Sequence, residues 1–143
     1  MRFLGLLRAD NESEAGVPPS PELMARMGTF LEEVTKAGVL LATDGLHPSA
    51  KGARVKLADG KVTVTDGPFT ESKELVASYA LLQVKSKDEA IEWTTRFIRV
   101  LGKGECELRQ VYDPSDFPPD VFPPEEAAKE QAWRDEMQRK ANR

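Results

Sequence analysis

Val62-Thr63-Val64-Thr65-Asp66-Gly67-Pro68-Phe69-Thr70-Glu71-Ser72-Lys73-Glu74 is the stretch from which the rest of the chain can be ordered. Val62 and Val64 alternate with threonines, the pattern of a strand with one buried face. Asp66-Gly67-Pro68 then ends the strand, because this triplet favours a turn and Pro carries no N–H for a ladder. Asp66, Glu71, Lys73 and Glu74 gather around one aromatic, Phe69. A plain surface turn needs only the Asp, Gly and Pro, so the extra charges mark a candidate site.

Working outward, Ala53 to Thr65 reads as a hairpin. Val55 and Leu57 alternate with polar residues, Asp59-Gly60 supplies residues that tolerate positive φ, and Val62 and Val64 resume the alternation. Leu75 to Val84 is a further strand, with Val76, Ala80, Leu82 and Val84 mostly on one face and Tyr79 on the other. Arg2 to Arg8 is a short, nearly continuous apolar run suited to a central strand. Val39 to Thr43 and Glu105 to Tyr112 read as the remaining strands, and Asp10 to Pro19 as a polar loop.

Two helices separate these strands. Ser20 offers an N-cap with Pro21 at the first helical position. Leu23, Met27, Phe30, Leu31 and Val34 then form one apolar stripe, and Gly38 closes the helix. Ser86-Lys87-Asp88-Glu89 fits a capping box. The second stripe is Ala90, Ile91, Thr94, Phe97, Ile98 and Leu101, with Trp93 at its border and Gly102 and Gly104 at its end. This order places both helices on one face of an antiparallel sheet. The other face, with Leu4, Leu6 and Tyr79, needs a cover, and a second copy of the sheet is the economical one. A homodimer is the expectation.

Composition narrows the function. With 143 residues, 40% hydrophobic and 31% charged, the chain suits one domain, residues 1–112, followed by an appendage, 113–143. A formal net charge of −4 without a basic patch argues against direct nucleic-acid binding. No apolar run approaches the ~20 residues that span a bilayer, and none forms a signal segment, so no membrane partner and a cytoplasmic location are expected. Cys106 is the single cysteine, which excludes an intramolecular disulfide or thiolate cluster, and a buried, inert thiol is expected. Gly102-Lys103-Gly104 lacks the rest of a phosphate-loop spacing, and one His with dispersed carboxylates lacks transition-metal spacing. No cofactor is expected, and no metal, although Asp66 and Glu71 are the pair that would take a hard cation.

The appendage has its own character. Asp113 to Pro124 carries five prolines, three Asp and two Phe, an extended arm. Glu125 to Arg143 reads as a charged helix with Glu125/Lys129, Glu130/Arg134 and Glu136/Lys140 at i,i+4, and a narrow seam of Trp133, Met137 and Ala141.

The Asp66-Gly67-Pro68-Phe69 signature with its Thr70-Glu71-Ser72-Lys73-Glu74 sequel resembles the DGPF-type branch of the YCII-related proteins. Phe3-Leu4-Gly5-Leu6-Leu7, Ala37-Gly38-Val39-Leu40 and Gly45-Leu46-His47-Pro48 extend the resemblance in the right order from Arg2 to Tyr112. It implies a ferredoxin-like α+β fold that pairs into a dimeric α/β barrel with a cleft, here with an added hairpin and a C-terminal helical arm. Broader relatives carry a His and Asp pair associated with the first helix. Here that helix holds neither, with Met27 and Lys36 near the matching places, so that dyad does not carry over.

The signature supports a catalytic and a structural reading. In the first, Asp66 or Glu74 is a general base whose pKa a closed cleft would raise, and Lys73 stabilises a developing anion. Phe69, Glu71, Tyr79 and His47 would then contact a small molecule, and related barrels imply a proton-transfer or lyase type of reaction. His47 is the only histidine, and a loop position before Pro also suits a turn. In the second, Asp66 forms an Asx-turn, Pro68 fixes φ, Phe69 plugs the core and the charges are solvated. A noncatalytic accessory or regulatory module is the alternative function. Some DGPF-type relatives are encoded beside extracytoplasmic-function sigma factors, which implies a regulatory partner.

Overall fold

Arg2–Arg8 (β1) is the strand on which the sheet is built: it pairs antiparallel with Val76–Gln83 (β5) on one side and Cys106–Gln110 (β6) on the other. Leu40–Gly45 (β2) joins the far edge of β5, giving the order β2-β5-β1-β6. The computed structural model that shows this describes residues 1–71 and 74–142. It divides into two units, Met1–Val111 and Tyr112–Arg143. With Pro21–Lys36 (α2) between β1 and β2 and Lys87–Leu101 (α3) between β5 and β6, the first unit is a ferredoxin-like α+β sandwich.

Side-chain alternation explains why both helices settle on one face. Phe3 pairs with Leu82, Gly5 with Ala80 and Leu7 with Ser78, all on the helix side. Phe3, Leu82, Val39 and Val84 meet Phe30 and Val34 of α2 and Ala90 of α3 in the buried core. Each of the larger side chains contributes roughly 1.5–3 kcal/mol by leaving water. Phe30 lies 6.3 Å, centroid to centroid, from both Trp93 and Phe97. Ile91, read as part of the α3 stripe, is instead exposed, and Trp93 takes the inner position.

The helix ends follow the sequence. Ser20 Oγ accepts the Leu23 N–H with Pro21 at the first position, and Gly38 continues past the α2 end at φ 73°. Ser86 Oγ accepts the Glu89 N–H, but the Glu89 carboxylate reaches the Lys85 N–H rather than closing the box on Ser86. The polar segment after β1 is not all loop. Asn11–Glu14 (α1) forms one short helix, because Asp10 and Ser13 cap each other's backbone N–H groups.

Ala53–Ala58 (β3) and Lys61–Asp66 (β4) form a separate two-stranded sheet, joined by Asp59 and Gly60 at φ 51° and 74°. The buried face expected for Val62 and Val64 is not found. They are 60% and 63% exposed, and their cross-strand partners Leu57 and Val55 are 70% and 71% exposed. The alternation is real, but the ribbon pairs with no strand of the four-stranded sheet.

In the second unit, Tyr112, Phe117 and Phe122 form a chain of rings with centroid spacings of 4.9 and 5.9 Å. Pro124–Ala141 (α4) carries the ion pairs Glu130–Arg134 and Glu136–Lys140. Lys129 pairs with Glu126, one turn position closer than the expected Glu125. Among the described residues, no helix is long and apolar enough to cross a membrane.

Candidate functional site

The Asp-Gly-Pro-Phe loop is held at the base of the hairpin by its backbone. The Gly67 N–H donates to the Gly52 carbonyl (3.0 Å), and the Phe69 N–H donates to Ser49 Oγ (3.0 Å). Ser49 in turn donates its hydroxyl to Glu14 Oε2 (2.6 Å), and its N–H reaches Glu14 Oε1 (3.1 Å). A carboxylate on α1 is thus wired through one serine to the signature. Gly67 is required by closeness: a Cβ there would stand 1.7 Å from the Ser49 carbonyl oxygen. Phe69 does not plug the core. It is half-buried outside the core cluster, with the Arg54 guanidinium 3.9 Å above its ring.

The acidic residues of the loop stand in water. Asp66 ends β4 opposite Ala53 and is exposed, as are Glu71 and Glu74, whose backbones share one hydrogen bond of 3.0 Å. Lys73 lies outside the described residues. His47 is exposed in the loop after β2. The structure gathers Asp66 and Phe69 at the hairpin base but brings neither to the cavity described next, and the same holds for Glu71, Glu74 and His47. No group of three or more His, Cys, Asp or Glu side chains suited to a metal occurs among the described residues.

A cavity lies instead between the helices and the sheet, and has a volume of about 470 Å³. The centre of its floor is made of small residues brought into register, Gly5 beside Ala80, Thr43 on the other side of Ala80, and Gly45 beside Ser78, with Leu7, Leu40 and Leu82 around them. Its roof is Met24, Met27, Phe30 and Leu31 of α2 with Trp93, Thr94, Phe97 and Leu101 of α3. The neighbouring half of the layer, where the sheet contributes Phe3 and Val84, is filled, with Leu82 at the boundary. Small floor residues beneath large roof residues therefore leave a gap at one end of an otherwise packed sandwich.

The polar groups of the lining are few. Thr43 donates its hydroxyl to the Tyr79 carbonyl (2.8 Å), leaving its oxygen lone pairs as acceptors, and Ser78 and Thr94 add two hydroxyls. Asp44 and Tyr79 also border the cavity, but strand alternation directs their side chains to the opposite face. There the Tyr79 hydroxyl donates to Asp44 Oδ2 (2.7 Å), and that bond holds the phenol above its ordinary pKa. Among the described residues, no Lys, Arg or His lines the cavity.

The stripes of α2 and α3 were legible as core; the cavity beneath them was not. The signal was the set of small residues on helix-facing strand positions, Gly5, Gly45, Ser78 and Ala80, whose alignment depends on register. Cys106 is half-buried, and burial followed by the nearby Glu105 charge pushes its thiol pKa up, away from the reactive thiolate.

An uncharacterized protein of Rhizobium meliloti (strain 1021) is 26% identical over 99 residues, covering 67% of this chain and 80% of its own length. Among solved structures, the 5-chloro-2-hydroxyhydroquinone dehydrochlorinase of Burkholderia phenoliruptrix AC1100, in complex with 2,5-dihydroxybenzoquinone, is similar with a TM-score of 0.43 and 13% identity. That match covers 78% of this chain and 94% of the other. The model of the YCII-related domain matches residues 1–114, and the chain belongs to the YCII-related family.

Proposed function

We propose that the protein binds an uncharged, ring-bearing small molecule in the cavity between α2, α3 and the sheet. The observation that carries this is the lining: three aromatic rings, Phe30, Trp93 and Phe97, two methionines, hydroxyls and, among the described residues, no cationic side chain. Its volume lies within the roughly 300–1,000 Å³ usual for small-molecule sites. A carboxylate entering it would lose hydration with no cation to compensate, whereas a phenol or ketone needs only the hydroxyls of Thr43, Ser78 or Thr94.

A binding role is favoured over catalysis because, among the described residues, the one carboxylate of the lining, Asp44, is directed to the opposite face of the sheet. The signature loop then serves to fix the hairpin base through Gly67, Ser49 and Glu14. A proton-transfer or lyase-type reading has one observation of its own, the Tyr79–Asp44 hydrogen bond at the cavity edge. It requires a substrate that reaches around the edge strand β2 to that pair.

The test uses Trp93 as the reporter. In a Trp133→Phe background it is the one remaining tryptophan. Titration with an uncharged aromatic probe such as 2-naphthol is expected to change its emission saturably, and Thr94→Phe, which narrows the roof, is expected to abolish the change. Equal response in the narrowed variant contradicts the assignment.

A further inference from the structure

Of the Ser and Thr hydroxyls in the cavity lining, one alone has its polarity fixed. Thr43 stands on β2 beside Ala80, on the helix-facing side of the sheet, and its hydroxyl hydrogen is committed to the Tyr79 carbonyl at 2.8 Å. A carbonyl only accepts, so that bond runs one way, and toward a ligand Thr43 Oγ1 offers lone pairs and no hydrogen. β-branching restricts Thr43 at χ1, and its partner is the backbone of an interior strand, so the hydroxyl is held in that role. Ser78 and Thr94 differ. Thr29, Thr35 and Thr95 give their hydroxyls to helix carbonyls four residues back, but among the described residues Ser78 and Thr94 make no side-chain hydrogen bond. Each is free to turn and donate or accept.

We infer, resting on the assignment of the cavity as a binding site, that its ligand is an aromatic compound carrying an O–H or N–H donor on the ring, and that Thr43 is the residue that selects it. A ligand that fills the cavity excludes water from Thr43 Oγ1. A donor on the ring replaces the lost bond. A ketone or ether brings lone pairs only; set against Thr43 it places two acceptors face to face and leaves both dry, a desolvation cost with nothing returned. Turning such a group toward Ser78 or Thr94 satisfies the ligand but still leaves Thr43 unpaired. The roof rings Phe30, Trp93 and Phe97 take the aromatic part by shape and ring contact, which a phenol and its methyl ether share. Thr43 therefore reads the difference between a donor and an acceptor on the same ring.

Equilibrium dialysis of the full chain against 2-naphthol and its methyl ether, 2-methoxynaphthalene, is the test. The wild type is expected to hold 2-naphthol more tightly although the ether is the less polar compound, a comparison that needs no variant. Thr43→Val keeps the shape and removes the oxygen; it is expected to lower the ratio of the two affinities at least about fivefold, the scale of one hydrogen bond. Thr43→Ser keeps the hydroxyl and is expected to keep the wild-type ratio. A wild type that prefers the ether, or a ratio that Thr43→Val leaves unchanged, overturns selection by Thr43, while binding that Thr94→Phe abolishes still upholds the cavity. Absence of binding by both compounds, or binding that Thr94→Phe leaves intact, removes the cavity assignment and the selection with it.

Discussion

Gly67 and the carbonyl oxygen of Ser49 are in such close approach that a Cβ on residue 67 would lie 1.7 Å from that oxygen. No side-chain rotation relieves this, because the obstacle is backbone. Gly67→Ala is therefore expected to displace the loop and cost about 1–3 kcal/mol, the scale of overpacking in a fixed environment. Gly52→Ala is the control, since its Cβ would meet the same oxygen at an ordinary 3.5 Å. Urea midpoints of the two variants should separate; equal midpoints would show that the loop yields freely.

Ser49 is the joint between α1 and the signature. Ser49→Ala removes the acceptor of the Phe69 N–H and the hydroxyl donor to Glu14 Oε2, leaving the backbone N–H bond to Glu14 Oε1. A loss of about 1–3 kcal/mol is expected, as for a half-buried polar group left without its partner. Glu14→Ala should cost no more than Ser49→Ala, because the Phe69 bond survives it. Thermal melts of the two single variants and the double variant measure the coupling.

The two phenylalanines should not behave alike. Phe30→Ala is expected to cost about 3–5 kcal/mol, since Phe30 is 8% exposed and packs on Trp93 and Phe97. Phe69→Ala should cost less, on the order of 1–2 kcal/mol including about 0.5–1 kcal/mol for the Arg54 contact. Denaturant unfolding of both variants under the same conditions tests the ranking, and a reversed order would place Phe69 in the core after all.

What was readable in the sequence follows from what is local. Ser20-Pro21, Gly38, Ser86 and Gly102 mark helix ends through bonds within a few residues, and the structure places the caps there. The Asp59-Gly60 turn was equally plain. Burial was harder, because alternation in Val62 and Val64 reports that a strand has an apolar face, not that the same chain covers it. The cavity needed the pairing of Gly5 with Ala80 and of Gly45 with Ser78, residues distant in sequence. Asp10 to Pro19 looked like loop because its one helical turn is stabilised by reciprocal capping rather than by an apolar stripe.

Asp10 provides a test in pH. The Ser13 N–H, foremost, and the Lys103 ammonium hold its carboxyl below the ordinary value, against a smaller opposing effect of burial. A depressed folded pKa means that its contribution is complete above the unfolded carboxylate value near ~3.9 and is lost as pH falls through the folded value. Asp10→Ala should therefore lower stability at pH 7, by up to ~1 kcal/mol at so exposed a site, with the difference from wild type shrinking at about pH 3. A difference independent of pH would remove the carboxylate from the account.

The cavity is the centre of the functional account, and isothermal titration with 2-naphthol and 2-naphthoate, matched in ring and differing in charge, tests it most directly. The account predicts saturable one-to-one binding of 2-naphthol by the wild type, at least tenfold weaker binding of 2-naphthoate, and loss of both in Thr94→Phe. Tighter binding of the carboxylate, or binding of either compound unchanged by Thr94→Phe, would contradict it.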